Sequence, residues 1–225
     1  NNATLMNGSV VNQSGKFQEA MQFDGNGDFV NISVSYLINF TGLTIEAWIY
    51  PKRSPADWES IVYKSNGSNY AFTLRRDNSA GNNQIEFNLN GGGAGGLSGG
   101  APTRVNQNEW THVAGTYDNS IMRIYINGVE RASQSYTTPI TTGIGDIVIS
   151  NLDNLRFNGT IDEVALWNTS LTADKISEHA GAKLLDYSQY GNNGTRNFNS
   201  TSDFGRNFTD GKFSKALVFD GVNDY

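Results

Sequence analysis

Thr44-Ile45-Glu46-Ala47-Trp48-Ile49-Tyr50 decides the fold: Ile45, Ala47 and Ile49 fall on one face, and Thr44, Glu46, Trp48 and Tyr50 on the other. A period of two marks a strand, because successive side chains of extended backbone point to opposite sides. The same rhythm returns outward from this stretch. Tyr70, Phe72 and Leu74 alternate with Ala71, Thr73 and Arg75, and Ile85, Phe87 and Leu89 alternate with Glu86 and Asn88. Met122, Ile124 and Ile126 alternate with Arg123 and Tyr125, and Asn127-Gly128 then supplies a hairpin turn. Shorter apolar segments lie at Met21–Phe23, Ser60–Lys64, Thr111–Gly115, Asp146–Ser150 and Gly159–Trp167. Short strands separated by Gly/Asn turns predict an all-β antiparallel sandwich rather than βαβ units. One short helix is expected at Thr172–His179, with Thr172 as N-cap and Asp174 in the first turn. Gly91–Gly100 (GGGAGGLSGG) reads as a loop that forms no regular strand.

Composition narrows the function. Sixteen basic residues against 22 acidic ones give a net charge of −6, which argues against nucleic acid or anionic lipid as partner. Cysteine is absent, so disulfides, thiolate catalysis and Cys-type metal sites are excluded. No apolar run approaches the ~18–20 residues of a membrane span. The two histidines, His112 and His179, leave little room for imidazole catalysis, and His112 reads as a hydrogen-bonded structural residue in a strand.

Asparagine is in large excess, with 28 in the chain. Eleven head an N-x-[ST] tripeptide: Asn2, Asn7, Asn12, Asn31, Asn39, Asn66, Asn158, Asn168, Asn193, Asn199 and Asn207. Asn, Ser and Thr also cluster in turns for backbone reasons. The density of acceptor tripeptides nevertheless favours N-glycosylation, and with it an extracellular or cell-surface location. A start at Asn1 rather than Met is what a processed or excised product would give.

Part of the sequence repeats. Asn1-Asn2-Ala3-Thr4 recurs as Asn192-Asn193-Gly194-Thr195, and GKFQEAMQFDGNGDF (Gly15–Phe29) recurs as GKFSKALVFDGVNDY (Gly211–Tyr225). The implied organisation is one domain over residues 1–182, followed at 183–225 by the opening strands of a second copy. Leu184, Leu185, Phe213, Leu217 and Phe219 give this second segment an apolar face that calls for further strands, in the same chain or in a neighbouring molecule.

FDGNGDFV (Phe23–Val30), TIEAWIYP (Thr44–Pro51), WTHVAGTYD (Trp110–Asp118), IYING (Ile124–Gly128) and FNGTIDEVALWN (Phe157–Asn168), followed by LTADKI (Leu171–Ile176), stand in order. Together they resemble the laminin-G-like members of the concanavalin-A-like lectin/glucanase superfamily. The resemblance implies a jelly-roll sandwich of two antiparallel sheets. It also implies a structural calcium ion, carried over onto Asp24, Asp28 and Asp162, although Asp24 and Asp28 equally suit Asx hydrogen bonds within their own turn. The glucanases of the superfamily place paired carboxylates on a strand as E-x-D-x-x-E, and no E-x-D occurs here, so no enzyme activity is expected. Two functions stay open. One is a non-catalytic structural or adhesive repeat unit of a cell-surface or filament-forming protein, whose partners are neighbouring copies or repeats. The other is a lectin-like module for glycans, in which Trp58 stacks on a sugar ring and Arg75, Arg76 and the Gly91–Gly100 loop lie near it.

Overall fold

The computed structural model describes residues 3–6, 10–12, 14–33, 40–55, 58–67, 69–78, 81, 83–141, 145–152 and 155–181, together with the backbone of 183–184, 194–195, 208–211 and 214–217. In chain order the strands are β1 (Ala3–Met6), β2 (Val10–Asn12), β3 (Ala20–Asp24), β4 (Phe29–Ile32), β5 (Leu43–Pro51), β6 (Trp58–Ser65), β7 (Tyr70–Asp77), β8 (Gln84–Leu89) and β9 (Gly96–Ser98). They continue with β10 (Thr111–Tyr117), β11 (Ile121–Ile126), β12 (Val129–Ser135), β13 (Ile147–Ile149), β14 (Asn151–Leu152), β15 (Leu155–Arg156) and β16 (Asn158–Trp167). Helix α1 (Ala173–His179) follows, then β17 (Lys183–Leu184), β18 (Gly194–Thr195), β19 (Phe208–Gly211) and β20 (Ser214–Leu217).

Two antiparallel sheets form the jelly-roll sandwich. The first runs β1-β4-β13-β6-β7-β8-β9, with the β14–β15 hairpin beside β6, and the second runs β12-β11-β10-β5-β16-β3-β2. Consecutive strands such as β6–β7–β8 pair directly, whereas β5 pairs with β10 and β16, and β16 pairs with β3. These long crossovers knit the sandwich, so its core closes only when distant segments meet.

The core lies between the sheets. Phe72, Leu74, Ile85, Phe87 and Leu89 of the first face Ile45, Ala47, Ile49, Val113, Ile124 and Ile161 of the second, all at most 1% exposed. The contact is keyed at Gly115, where an added Cβ would stand 2.6 Å from the Phe87 ring. A large side chain on one sheet thus fills the dent left by the smallest residue on the other. β5 is buried on both faces, apart from the half-buried Tyr50. Its second face is covered from above by Phe17, Trp167 and His179, which explains a Glu and a Trp in a central strand.

The local signals are realised. Asn127 and Gly128 both take positive φ (51° and 79°) in the β11–β12 hairpin. Thr172 caps α1, its hydroxyl accepting from the Lys175 amide. One expectation is corrected. The glycine-rich stretch is not only loop, because Gly96–Ser98 forms β9, an edge strand on β8 that buries Leu97. Glycine lowers intrinsic strand preference, but a free edge and an apolar side chain outweigh it over three residues.

Candidate functional site

Trp58 begins β6, opposite Asp77 of β7, and Arg75 of β7 stands between Ser60 of β6 and Glu86 of β8. These residues lie on the face of the first sheet that looks away from the core. Arg75 is braced: Nε and Nη2 sit 2.9 and 2.8 Å from Glu86 Oε2, and both side chains are only 12–13% exposed. Its guanidinium also lies 4.4 Å from the Trp58 ring centroid. A cation stacked on the indole fixes the ring plane, yet Trp58 keeps 36% of its surface exposed.

These side chains line a cleft of about 460 Å³, together with Asn88, Ser98, Tyr70 and the backbone of Gly91–Gly93 and Gly96. The glycines shape it. Gly92 has φ +85°, and a Cβ there would stand 2.7 Å from the Tyr70 hydroxyl, while at Gly96 it would stand 2.9 Å from Asn88 Oδ1. Side chains at these positions would close the wall and crowd the floor. Burial pushes the Tyr70 phenol up from its ordinary value, so the hydroxyl is a neutral hydrogen-bonding group at physiological pH. The cleft therefore combines one aromatic face with a short row of amide, hydroxyl and carboxylate groups, the pairing that suits a polyhydroxylated ring.

Sequence reasoning gathered Trp58, Arg75, Arg76 and the glycine-rich stretch, and the structure brings three of these together. Arg76 is elsewhere. It is fully buried on the core side, with Nη1 2.6 Å from Glu59 Oε2 and Nη2 donating to Asn83 Oδ1 and the Arg53 carbonyl. Neighbours along a strand point to opposite faces, so only one of two adjacent arginines reaches the cleft.

The three aspartates do not fit one calcium site. Asp28 Oδ2 accepts the Asp24 amide and Asp24 Oδ1 accepts the Asn26 amide, so both carboxylates tie the turn between β3 and β4. Asp162 lies on β16 beyond Ile161, which pairs with Met21, whereas Asp24 pairs with Asn158. At ~3.3 Å per residue this offset is on the order of 13 Å. Asp162 instead accepts the Phe17 amide (3.0 Å) and holds the turn that leads into β3. Among the described residues, no group of three or more His, Asp or Glu is arranged to hold a metal ion.

Of the N-x-[ST] asparagines, Asn168 is exposed, while Asn31 and Asn66 are half-buried with amide nitrogens donating to Asp146 and the Tyr70 carbonyl. Asn158 donates its amide to the Asp24 carbonyl. Only the backbone of Asn12 is described, and Asn2, Asn7, Asn39, Asn193, Asn199 and Asn207 lie outside the described residues.

A second cluster escaped sequence reasoning. Both histidines converge on Glu46, with His179 Nδ1 2.7 Å from Oε1 and His112 Nε2 3.5 Å from Oε2, while Trp167 Nε1 donates to Oε1. Burial alone would raise the Glu46 carboxyl, but hydrogen bonding and attraction from His112, with help from His179 and Trp167, hold it below its ordinary value. Burial depresses His112 despite the carboxylate beside it. The only sequence signal was a glutamate in a strand that proves central, and its partners are 66 and more residues away.

A laminin-G family model described as the concanavalin A-like lectin/glucanases superfamily matches residues 24–177. No curated protein matches the chain. Among solved structures, domain 4 of AbnA, a GH43 extracellular arabinanase from Geobacillus stearothermophilus solved with arabinotriose, is similar at 18% identity and TM-score 0.65, over 79% of this chain and 87% of that one. A heptameric SAP-like pentraxin from Limulus polyphemus follows at 15% identity and TM-score 0.55, over 68% and 75%. A putative carbohydrate binding protein from Bacteroides ovatus is similar at 21% identity and TM-score 0.51, over 65% of this chain and 42% of that one. At these identities the structural likeness speaks for the fold alone. With the family model spanning over two thirds of the sequence, and with the two-sheet jelly roll it describes, the chain belongs to the concanavalin A-like lectin/glucanases superfamily.

Proposed function

We propose that this domain is a non-catalytic carbohydrate-binding module of an extracellular protein, and that it takes a short glycan in the cleft between Trp58 and the Gly91–Gly96 wall. The observation that carries this reading is Trp58 itself, a large, partly exposed aromatic held by Arg75 in the lining of a cleft that mixes apolar and polar groups. The arabinotriose of the AbnA domain and the carbohydrate binding of the Bacteroides protein are consistent with it. Glycoside hydrolysis needs two carboxylates across the scissile bond. Among the described residues lining this cleft, Glu86 is the one carboxylate, and it is tied to Arg75. A glycan array probed with the wild type and with Trp58→Ala tests the reading. Signals lost in the variant support it, and an equal pattern from both proteins refutes it.

A second reading, that the domain is a repeat unit of a longer surface or filament protein, draws on the repeat seen against the structure. Positions kept between 15–29 and 211–225 include Gly15, Phe17, Ala20, Phe23 and Asp28. Ala20, Phe23 and Asp28 are buried, Phe17 packs edge-on to Trp48, and a Cβ on Gly15 would strike Asp162. The exposed Gln18, Glu19, Gln22 and Asn26 all change. Two positions break the pattern: Gly27, buried at φ +136°, becomes Asn223, and the exposed Asp24 is kept as Asp220. β19 and β20 pair as an antiparallel hairpin, as β2 and β3 do. Light scattering tests whether copies associate through this segment: a concentration-independent monomer contradicts self-assembly, and a concentration-dependent oligomer supports it.

A further inference from the structure

We infer that the cleft selects neutral glycans over anionic ones, and that Glu86 sets this selectivity by neutralising Arg75; the inference rests on the carbohydrate-binding reading. Arg75 is the one cationic side chain among the described residues lining the cleft, and left free it would attract uronate, sulfate or phosphate groups. It is not free. Glu86 takes both Nε and Nη2, and the Trp58 indole covers a face of the guanidinium. With the side-chain amide of Asn88 turned so that its oxygen faces Arg75, that oxygen stands 3.2 Å from both nitrogens. Nε and Nη2, one edge of the guanidinium, are thus occupied by Glu86 and Asn88 within the cleft lining. An anionic ligand reaching Nε or Nη2 would have to displace a largely buried carboxylate, and at any edge of Arg75 it would stand against the Glu86 charge.

Two roles follow. Arg75 is a positioning residue that sets the plane of Trp58, and Glu86 is the specificity determinant. A neutral sugar needs neither charge, because its hydroxyls pair with Asn88, Ser98 and Tyr70, which also line the cleft. Pair cancellation also makes binding insensitive to ionic strength, since no net charge meets the ligand.

The test is calorimetric titration of the full chain with arabinotriose as the neutral probe and trigalacturonate as the anionic probe of matched length, at low and high salt. The wild type is expected to prefer the neutral probe by at least about tenfold, or about 1.4 kcal/mol. Glu86→Gln removes the charge that neutralises Arg75, and the ratio of trigalacturonate to arabinotriose affinity is expected to rise about tenfold at low salt and to fall back at high salt. Should that variant fail to fold, Glu86→Asp withdraws the carboxylate by one methylene and is expected to move the ratio the same way by less. A wild type that binds trigalacturonate as tightly as arabinotriose overturns the inference, as does a folded Glu86 variant with an unchanged ratio. Binding of neither probe, together with a blank array, overturns the carbohydrate reading as well. A neutral signal without selectivity overturns this inference alone.

Discussion

Lowering the pH from 7 should destabilise the domain, and His112 is the reason. This imidazole is 2% exposed and is pushed below its ordinary value of 6.5, with burial the largest cause. In the window below 6.5 the unfolded chain takes up a proton that the folded chain refuses, so stability falls as pH falls. One such proton gives at most about 1.4 kcal/mol per pH unit. With an unfolding entropy of about 2.1 cal/mol/K per residue over a stretch of roughly 180 residues, that slope is about 3–4 °C of Tm per pH unit. Glu46 adds to the loss lower down: held below its ordinary value of 4.5, it contributes stability that disappears as pH falls through its folded value. The assay is scanning calorimetry at half-unit steps from pH 7.5 to 5, on the wild type, His112→Gln and His179→Gln. The chain has no other imidazole, so the comparison apportions the slope. His112→Gln should lie lower at pH 7 but flatter below 6.5. A wild-type Tm that is level over this range, or an equal slope in His112→Gln, would refute the reasoning.

Other perturbations separate the remaining parts of the account. Glu59→Gln leaves Arg76, fully buried and otherwise bonded to Asn83 and a backbone carbonyl, without its counter-charge, and should cost about 3–5 kcal/mol in urea unfolding; a loss under 1 kcal/mol would show that the pair is solvated. Gly115→Ala drives a methyl into the Phe87 ring and should cost about 1–3 kcal/mol, whereas a neutral result would mean that the sheets separate easily. Because Asp162 lies far along the strand pair from Asp24 and Asp28, a chelator should leave the Tm unchanged; a drop of several degrees would reveal a bound cation held by some other arrangement.

The period-two pattern was enough to place β5, β7, β8 and β11, because a half-buried or core strand writes its faces directly into the sequence. α1 was equally legible, since a helix start depends on a local cap such as Thr172. What stayed hidden depends on neighbours distant in sequence. β9 exists because β8 offers an edge, and Asp162 serves a turn more than 140 residues away. The cleft was partly legible for a simple reason: Trp58, Arg75 and the glycines sit on a run of successive hairpins, β6 to β9. Arg76 shows the limit. Proximity in sequence suggested a shared site, but side-chain alternation sent it to the core.

Chemical-shift mapping of the labelled protein on adding a neutral oligosaccharide tests the central claim most directly. The carbohydrate-binding account predicts saturable shifts at the Trp58 indole and at the amides of Tyr70, Glu86, Asn88 and Gly91–Ser98, with Trp48, Trp167 and the Glu46 cluster on the other sheet unmoved. Shifts confined to that other sheet, or none with any neutral glycan, would contradict it.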